Sequence, residues 1–195
     1  GGSKISLGLD LQGGLHMLLG VETEEAVHSK IKSIAASVNY FAKKEDVLID
    51  SFKIREDKVD FELLDADEAA KIDEKYESNI IENEAIINTW LKDIKGLNVQ
   101  KDGLKYSVGL TDAEKAETIE YAINQAVETI RNRLDQFGLA EPTVARQGKD
   151  NILVELPGIK TAEDEQRARD LIAKAAHLQL MAVDEKRQPQ ANSMS

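Results

Sequence analysis

The sequence has no cysteine, three prolines and one tryptophan among its 195 residues. Without cysteine, a disulfide-stapled scaffold and a cysteine-ligated zinc site are both excluded. The same absence says nothing about compartment, because proteins outside the cytoplasm also exist without disulfides. Apolar runs are short, as in Met17-Leu18-Leu19 and Ile152-Leu153-Val154. A helix that crosses a bilayer needs about 20 mostly apolar residues, so the sequence predicts no such helix.

Clusters of basic residues are also missing, and 36 Asp and Glu against 25 Lys and Arg give a net charge of −11. This balance argues against a protein that binds the phosphate backbone of nucleic acids. The stretch from Glu56 to Glu84 contains twelve acidic and three basic residues and therefore carries −9 of that charge. A cation site is one interpretation, but the stretch lacks the spacing and the central glycine of a calcium loop. A solvated helix face is the simpler interpretation.

Hydrophobic periodicity predicts one order of elements in the first part of the chain. Apolar residues at three- and four-residue steps predict helices, and apolar residues in alternation predict strands with one wet face. The predicted order is strand, helix, hairpin, helix and strand, over residues 15–21, 23–44, 52–63, 67–95 and 97–100. The hairpin turns at Glu56-Asp57, and Gly96 is expected to end the second helix.

The same order returns in the second part of the chain. The elements are predicted over residues 104–110, 112–137, 142–156, 161–176 and 177–183. Thr111-Asp112-Ala113-Glu114 is a capping box, in which a hydroxyl and a carboxylate satisfy free amides at a helix start. Gly138 is expected to end the long helix, and Pro157-Gly158 to end the second hairpin.

Two successive βαββαβ patterns predict an α+β fold of two ferredoxin-like units, with antiparallel sheets and helices packed on one face. We expect the first unit at residues 4–103 and the second at residues 104–184. Residues 185–195 show no periodicity, and we expect a disordered tail or the start of a further inserted domain there.

Catalytic motifs are absent: the sequence has no phosphate loop, nucleophile elbow, zincin motif or dinucleotide-binding motif. His16, His28 and His177 lie far apart and suggest no metal site. Small acyl-phosphate hydrolases of ferredoxin-like fold need an anion-binding junction after the first strand. Here that junction is Val21-Glu22-Thr23-Glu24-Glu25, which would repel phosphate. We therefore expect no catalysis, no metal and no cofactor.

Two segments are not required by the predicted fold. The first is Gly8-Leu9-Asp10-Leu11-Gln12-Gly13-Gly14, which on spacing alone is an N-terminal turn with flexible glycines. The second runs from Ile130 to Pro142 and on through Arg146-Gln147-Gly148 to Leu156-Pro157-Gly158, and alone it is an ordinary helix stop and hairpin. With the first segment continued through Leu15-His16, and in this order, they resemble the two signature blocks of the SecD family, the accessory subunits of the bacterial Sec translocase. The resemblance extends from Ser6 to Val183.

The resemblance implies the base of the first extracytoplasmic (periplasmic) domain of an inner-membrane protein. It also implies SecF and the SecYEG channel as partners, an unfolded preprotein as the translocated chain, and the proton gradient as the source of energy. The proton-carrying residues of the family lie in membrane spans, so none of the residues here is expected to be catalytic. The signature positions expected to matter are Gly8, Asp10, Gln12, Gly13, Gly14, Arg131, Arg133, Gly138, Glu141, Pro142, Gln147, Gly148, Pro157 and Gly158.

Within the second block, Arg133 and Glu141 are expected to form a charge-assisted clamp between the helix end and the hairpin. The alternative is a set of exposed arginines that contribute little to stability. The alternative function is a small-ligand-binding or transporter module of the same fold, which would have a defined pocket between the two repeats. The paired signature blocks favour the export function.

Overall fold

The computed structural model describes residues 4–9, 15–76, 89–138 and 141–186. Its strands are β1 (Lys4–Leu9), β2 (Leu15–Gly20), β3 (Ile49–Ile54), β4 (Lys58–Leu63), β5 (Leu97–Asp102), β6 (Lys105–Leu110), β7 (Thr143–Gln147) and β8 (Asn151–Leu156). Its helices are α1 (Thr23–Lys44), α2 (Ala66–Tyr76), α3 (Asp112–Phe137) and α4 (Ala162–Lys186). None of these helices, within the described residues, has the length and apolar character needed to cross a membrane.

The strands form two four-stranded antiparallel sheets, with helices packed against them. The strand order is β1-β2-β8-β7 in one sheet and β3-β4-β6-β5 in the other. This confirms the predicted α+β class with antiparallel sheets. In the first sheet, β2 and β8 pair with Leu15 beside Leu156 and Met17 beside Val154. Two hairpins distant in sequence, β1-β2 and β7-β8, are therefore joined edge to edge.

The chain folds into two compact units that interleave in sequence. The split unit combines the segment up to Ala26 with Thr118–Val183, and the inserted unit consists mainly of Val27–Glu117. This differs from the expected division at residues 103 and 104. The periodicity identified most of the strands, but sequential strands are neighbours only about two-thirds of the time, and β2 pairs with the distant β8 as well as with β1.

The core of the split unit lies between its sheet and the helices α3 and α4. Alternate residues of β2 and β8 point inward and meet the apolar stripes of the two helices, as strand and helix periodicities require. The largest contributors, all at most 2% exposed, are Leu15, Met17, Leu19, Ile123, Ile130, Leu134, Ile152, Val154, Leu156 and Ile172. Full burial of one such side chain stabilises the fold by about 1.5–3 kcal/mol.

Aromatic stacking marks the core of the inserted unit. Phe61 of β4 and Tyr106 of β6 are register partners whose ring centroids lie 4.9 Å apart. Trp90, the only tryptophan of the chain, is 1% exposed and stacks on Phe41 of α1 at 6.5 Å. Its indole nitrogen donates a hydrogen bond to Glu45 Oε2 at 2.7 Å, so its polar group is satisfied despite the burial.

The structure differs from the sequence prediction at three elements. Strand β1, which pairs along its whole length with β2, was not predicted. The expected final strand at residues 177–183 is wrong, because this segment continues α4. Its residues are mostly Leu, Gln, Met and Ala, which favour helix over strand. Of the helix expected at residues 67–95, residues 67–76 are helical in α2, residues 89–93 form turns, and residues 77–88 lie outside the described part.

The predicted capping box at the start of α3 is only half formed. The Glu114 amide donates to Thr111 Oγ1 at 3.2 Å, as expected, but the Thr111 amide donates to Gly96 O. The Glu114 carboxylate instead accepts a 2.8 Å hydrogen bond from Lys30 Nζ of α1, and this ion pair is buried. Loss of either partner would leave an uncompensated buried charge, which typically costs about 3–5 kcal/mol.

Gly96 lies directly against this ion pair. Its φ is +67°, and a Cβ at this position would lie 2.4 Å from Glu114 Cβ. Gly103, in the turn between β5 and β6, has a similar φ of +60° with no atom within 4 Å of its virtual Cβ. The two glycines therefore differ in crowding and not in backbone strain.

We expect Gly96→Ala to destabilise the inserted unit clearly more than Gly103→Ala. Both variants bear the left-handed penalty of about 1–2 kcal/mol, but only Gly96→Ala must also displace Glu114, at an added cost of about 1–3 kcal/mol. Urea unfolding followed by Trp90 fluorescence measures both. Equal losses of unfolding free energy in the two variants would contradict the crowding at Gly96.

Glu68 connects α2 to the segment before β3. It is 6% exposed, and its Oε2 accepts a 2.9 Å hydrogen bond from the Leu48 amide. Lys71, one helical turn later, pairs with the same carboxylate at 2.9 Å and also donates to Asp46 O. The Leu48 amide, followed by Lys71, lowers the pKa of Glu68 below its ordinary value of 4.5.

A lowered folded-state pKa means that Glu68 contributes stability above pH 4.5 and loses it as the pH falls through the lower folded value. The free energy of unfolding of Glu68→Gln should therefore lie below that of the wild type at neutral pH, and the two should converge below pH 4.5. The exposed neighbour Asp67, changed to Asn, is the matched control. A difference that stays constant from neutral pH to strongly acidic pH would show that ionised Glu68 is not involved.

Candidate functional site at the end of helix α3

The second signature block forms the end of α3 and the β7-β8 hairpin. The helix ends at Phe137, and Gly138 follows with φ +83° and an amide that donates to Asp135 O at 3.1 Å. The predicted helix stop is confirmed, since this left-handed backbone favours glycine. Two further signature glycines, Gly148 in the hairpin turn and Gly158 after β8, also have positive φ, at +67° and +91°.

Arg131 connects α3 to β7. Its Nη2 donates a 2.8 Å hydrogen bond to Val144 O, and its Nη1 pairs with Glu128 Oε1 at 2.6 Å on the same helix face. Strand β7 is an edge strand of its sheet, where free carbonyls can recruit other chains. Arg131 therefore both positions the strand and occupies one of its carbonyl groups.

Arg146 makes the reverse connection, from β7 to α3. Its Nη1 binds Glu120 Oε1 and also lies 3.3 Å from Asn124 Oδ1, one helical turn further on. The two arginines point in opposite directions across one interface, so α3 and β7 are held at two points. Sequence reasoning gave Arg146 no role, because a strand arginine carries no local signal of a partner 22 to 26 residues away.

The expected clamp between Arg133 and Glu141 is not formed. No ion pair joins these two side chains in the described part of the chain, and both are exposed. Successive helical residues are about 100° apart, so Arg133 points to the opposite side of α3 from Arg131. Glu141 has φ +53° in the turn before Pro142 and β7. The clamp exists, but Arg131 forms it.

The remaining predicted positions divide into two groups. Gln147 pairs with Asn151 at the turn end of the hairpin, and Pro142 and Pro157 flank the hairpin outside β7 and β8. From the first block, Gly8 lies in β1 opposite His16. Asp10, Gln12, Gly13 and Gly14 lie outside the described residues.

The described end of the first signature block nevertheless meets the second block. Leu15 and His16, the last residues of the first block, pair with Leu156 and Glu155 at the end of β8, next to the second block's Pro157-Gly158. The His16 ring nitrogen lies 3.1 Å from Glu155 Oε1, with about half of each side chain exposed. The described parts of the two signature blocks are therefore neighbours in the split unit.

A concave surface with a volume of about 670 Å³ lies on the open face of the sheet β3-β4-β6-β5 in the inserted unit. Its charges alternate across the strands, with Lys53 beside Asp60 and Glu62 beside Lys105. Partial burial raises the pKa of Asp60, but hydrogen bonds from Arg55 and Ser107 outweigh this effect and hold the pKa below its usual value. Five cations and three carboxylates line this face, but none of the signature positions predicted from the sequence lies there, so it is a weaker candidate site.

The arrangement at the end of α3 positions secondary structure and offers no recognisable bond-making chemistry. Among the residues that the structure describes, no three His, Asp or Glu side chains are grouped so that they could hold a metal ion. The residues brought together are two arginines, their carboxylate partners and several turn glycines. Such residues are suited to fixing a helix against a hairpin.

Comparison with known proteins identifies the class of this module. Residues 123–185, which extend from α3 through the hairpin to α4, match the family model described as protein translocase subunit SecDF, P1 domain, N-terminal. The matched region is therefore a module of a protein translocase subunit. No solved structure matches the chain.

Curated relatives extend the match to nearly the whole chain. The protein translocase subunit SecD of Calditerrivibrio nitroreducens is 37% identical over 93% of this chain. The SecD subunits of Pseudomonas aeruginosa and Escherichia coli are 34% and 29% identical over 92% of it. The chain spans 27–33% of the length of these relatives. It belongs to the SecD family.

We expect Arg131→Ala to lower the free energy of unfolding of the split unit by about 1–2 kcal/mol, because a charged donor to Val144 O is lost. The matched control is Arg133→Ala on the opposite helix side, which should change it by less than about 0.5 kcal/mol. Thermal unfolding followed by circular dichroism tests both variants. The clamp would be refuted if Arg133→Ala were the more damaging change.

Proposed function

We propose that the chain is an extracytoplasmic domain of a SecD subunit that assists the late, proton-gradient-driven steps of preprotein translocation. SecF and the SecYEG channel are its proposed partners, an unfolded preprotein is its substrate, and its proposed place is the outer side of the inner membrane. The observation that carries the proposal is the similarity to SecD subunits over more than nine-tenths of the chain.

The geometry of the split unit supports a mechanical task. Arg131 and Arg146 hold the long helix α3 to β7, and β8 connects that hairpin to β2. A unit tied in this way transmits a displacement of one element to the others without local unfolding. No catalytic turnover is proposed, and the lack of catalytic motifs in the sequence agrees with this.

Replacement of the matching segment in the Escherichia coli SecD subunit by this chain tests the proposal. The chimera should restore export of a preprotein in cells that lack their own SecD, measured by removal of the signal peptide and protease accessibility outside the membrane. An uncoupler that dissipates the proton gradient should abolish the export that the chimera restores, because the gradient is the proposed source of energy.

Deletion of the segment from the chimera is the control, with immunoblots to show equal amounts in the membrane. Export that is equally good with and without the segment would contradict a role of this domain. Export restored equally well in the presence of the uncoupler would contradict the proton-driven step.

A further inference from the structure

A groove of about 510 Å³ runs between α3 and α4 of the split unit. It lies entirely within the stretch that matches the translocase family model. The side chains that give it its character are Arg133, Phe137, Arg167, Asp170, Leu171 and Lys174. The groove is thus lined by three cations and one carboxylate in a chain whose net charge is −11.

Arg167 pairs with Asp164 at 3.9 Å, but the other two cations of the groove make no such contact in the described part of the fold. Arg133 and Lys174 are exposed, and neither has a hydrogen-bond or ion-pair partner among residues 4–9, 15–76, 89–138 and 141–186. Arg131, two residues earlier on the same helix, shows the contrast, because its guanidinium is occupied by Val144 O and Glu128. Arg133 and Lys174 therefore remain available to carboxylates from outside.

The floor of the groove is apolar. Phe137 and Leu171 are partly buried, and the guanidinium of Arg167 lies over the Phe137 ring at 4.8 Å from its centroid. This cation–π contact keeps a charge beside the apolar floor. The single acid, Asp170, already accepts a 2.9 Å hydrogen bond from Gln166. Cations therefore border an apolar strip, a combination common at protein interfaces, where Arg and aromatic side chains are enriched.

We propose that this groove docks an acidic amphipathic helix of a partner protein in the translocase. A helix fits the space between two helices by packing its ridges into their groove. Charge complementarity requires the docking helix to carry carboxylates on both sides of its apolar stripe, where they would face Arg133, Arg167 and Lys174. That the partner is a translocase component rests on the proposed function, whereas the chemistry of the docking helix rests on the groove alone.

The test uses this chain and a labelled synthetic helix of about 18 residues, or five turns, with a leucine stripe flanked by glutamates. Fluorescence anisotropy should show binding that weakens as salt increases, because the contact is between exposed charges. Binding should fall at least about tenfold in the double variant Arg133→Glu with Lys174→Glu, since attraction becomes repulsion. The same helix with lysines in place of glutamates should not bind the wild type.

The matched control is the double variant Lys149→Glu with Lys160→Glu. These two lysines are also exposed in the split unit, and their change alters the net charge by the same amount. Binding should be retained there, and circular dichroism should show all variants folded. An equal loss of helix binding in both double variants would mean that only the net charge of the protein matters, and this would overturn the proposed docking in the groove.

Two other occupants would also overturn the proposal. One is an anionic lipid surface, which would appear as groove-dependent binding to phosphatidylglycerol vesicles without binding of the acidic helix. The other is a second copy of this chain, which would appear as self-association in sedimentation that Arg133→Glu with Lys174→Glu abolishes. Failure of the export chimera with intact helix binding would refute the proposed function and leave the groove standing.

Discussion

The antiparallel pairing of β2 with β8 is the contact on which the split unit depends. It places Leu15 beside Leu156 and builds one sheet from two hairpins that lie far apart in the chain. The inward residues of both strands then form one continuous core with α3 and α4. Without this pairing, each hairpin would be an isolated two-stranded ribbon, which is marginally stable at best in water.

The same pairing explains why two separate sequence blocks belong together. The first block ends at Leu15-His16 in β2, and the second block ends just beyond β8, so the pairing makes these two ends neighbours. Arg131 and Arg146 then extend the connection from the sheet to α3. With Arg131 directed at β7, Arg133 on the opposite helix side is left for the groove beside α4. The orientation of α3 about its axis therefore determines both the contact of Arg131 with β7 and the exposure of Arg133 in the groove.

The sequence predicted local structure better than long-range pairing. Helix α3, its stop at Gly138 and the β7-β8 hairpin were predicted because periodicity and turn glycines act within a few residues. The interleaved units were not predicted, because the apolar face of β2 would suit several partner strands equally well. Residues 177–183 were assigned to a strand because alternation in a short apolar segment resembles both elements, and the helix formers decided the outcome.

The candidate site shows the same limit. Turn glycines such as Gly148 and Gly158 could be predicted to need unusual backbone angles, and they have them. The sequence could not predict which arginine forms the clamp, because the choice between Arg131 and Arg133 depends on which side of α3 faces β7. The pairing of Lys30 with Glu114 joins residues 84 positions apart, and the capping motif alone suggested a local role for Glu114.

Because the chain has no cysteine, the β2-β8 pairing can be tested directly by an engineered disulfide. His16 and Glu155 are register partners on the exposed face, and paired residues lie about 4.5–5.5 Å apart at Cα, within the range of a disulfide. The double variant His16→Cys with Glu155→Cys should form a disulfide readily in the folded protein, seen as a shift in non-reducing electrophoresis. His16→Cys with Asn151→Cys, displaced by about 13 Å along β8, should not. Equal cross-linking of the two pairs, or none in the first, would contradict the pairing.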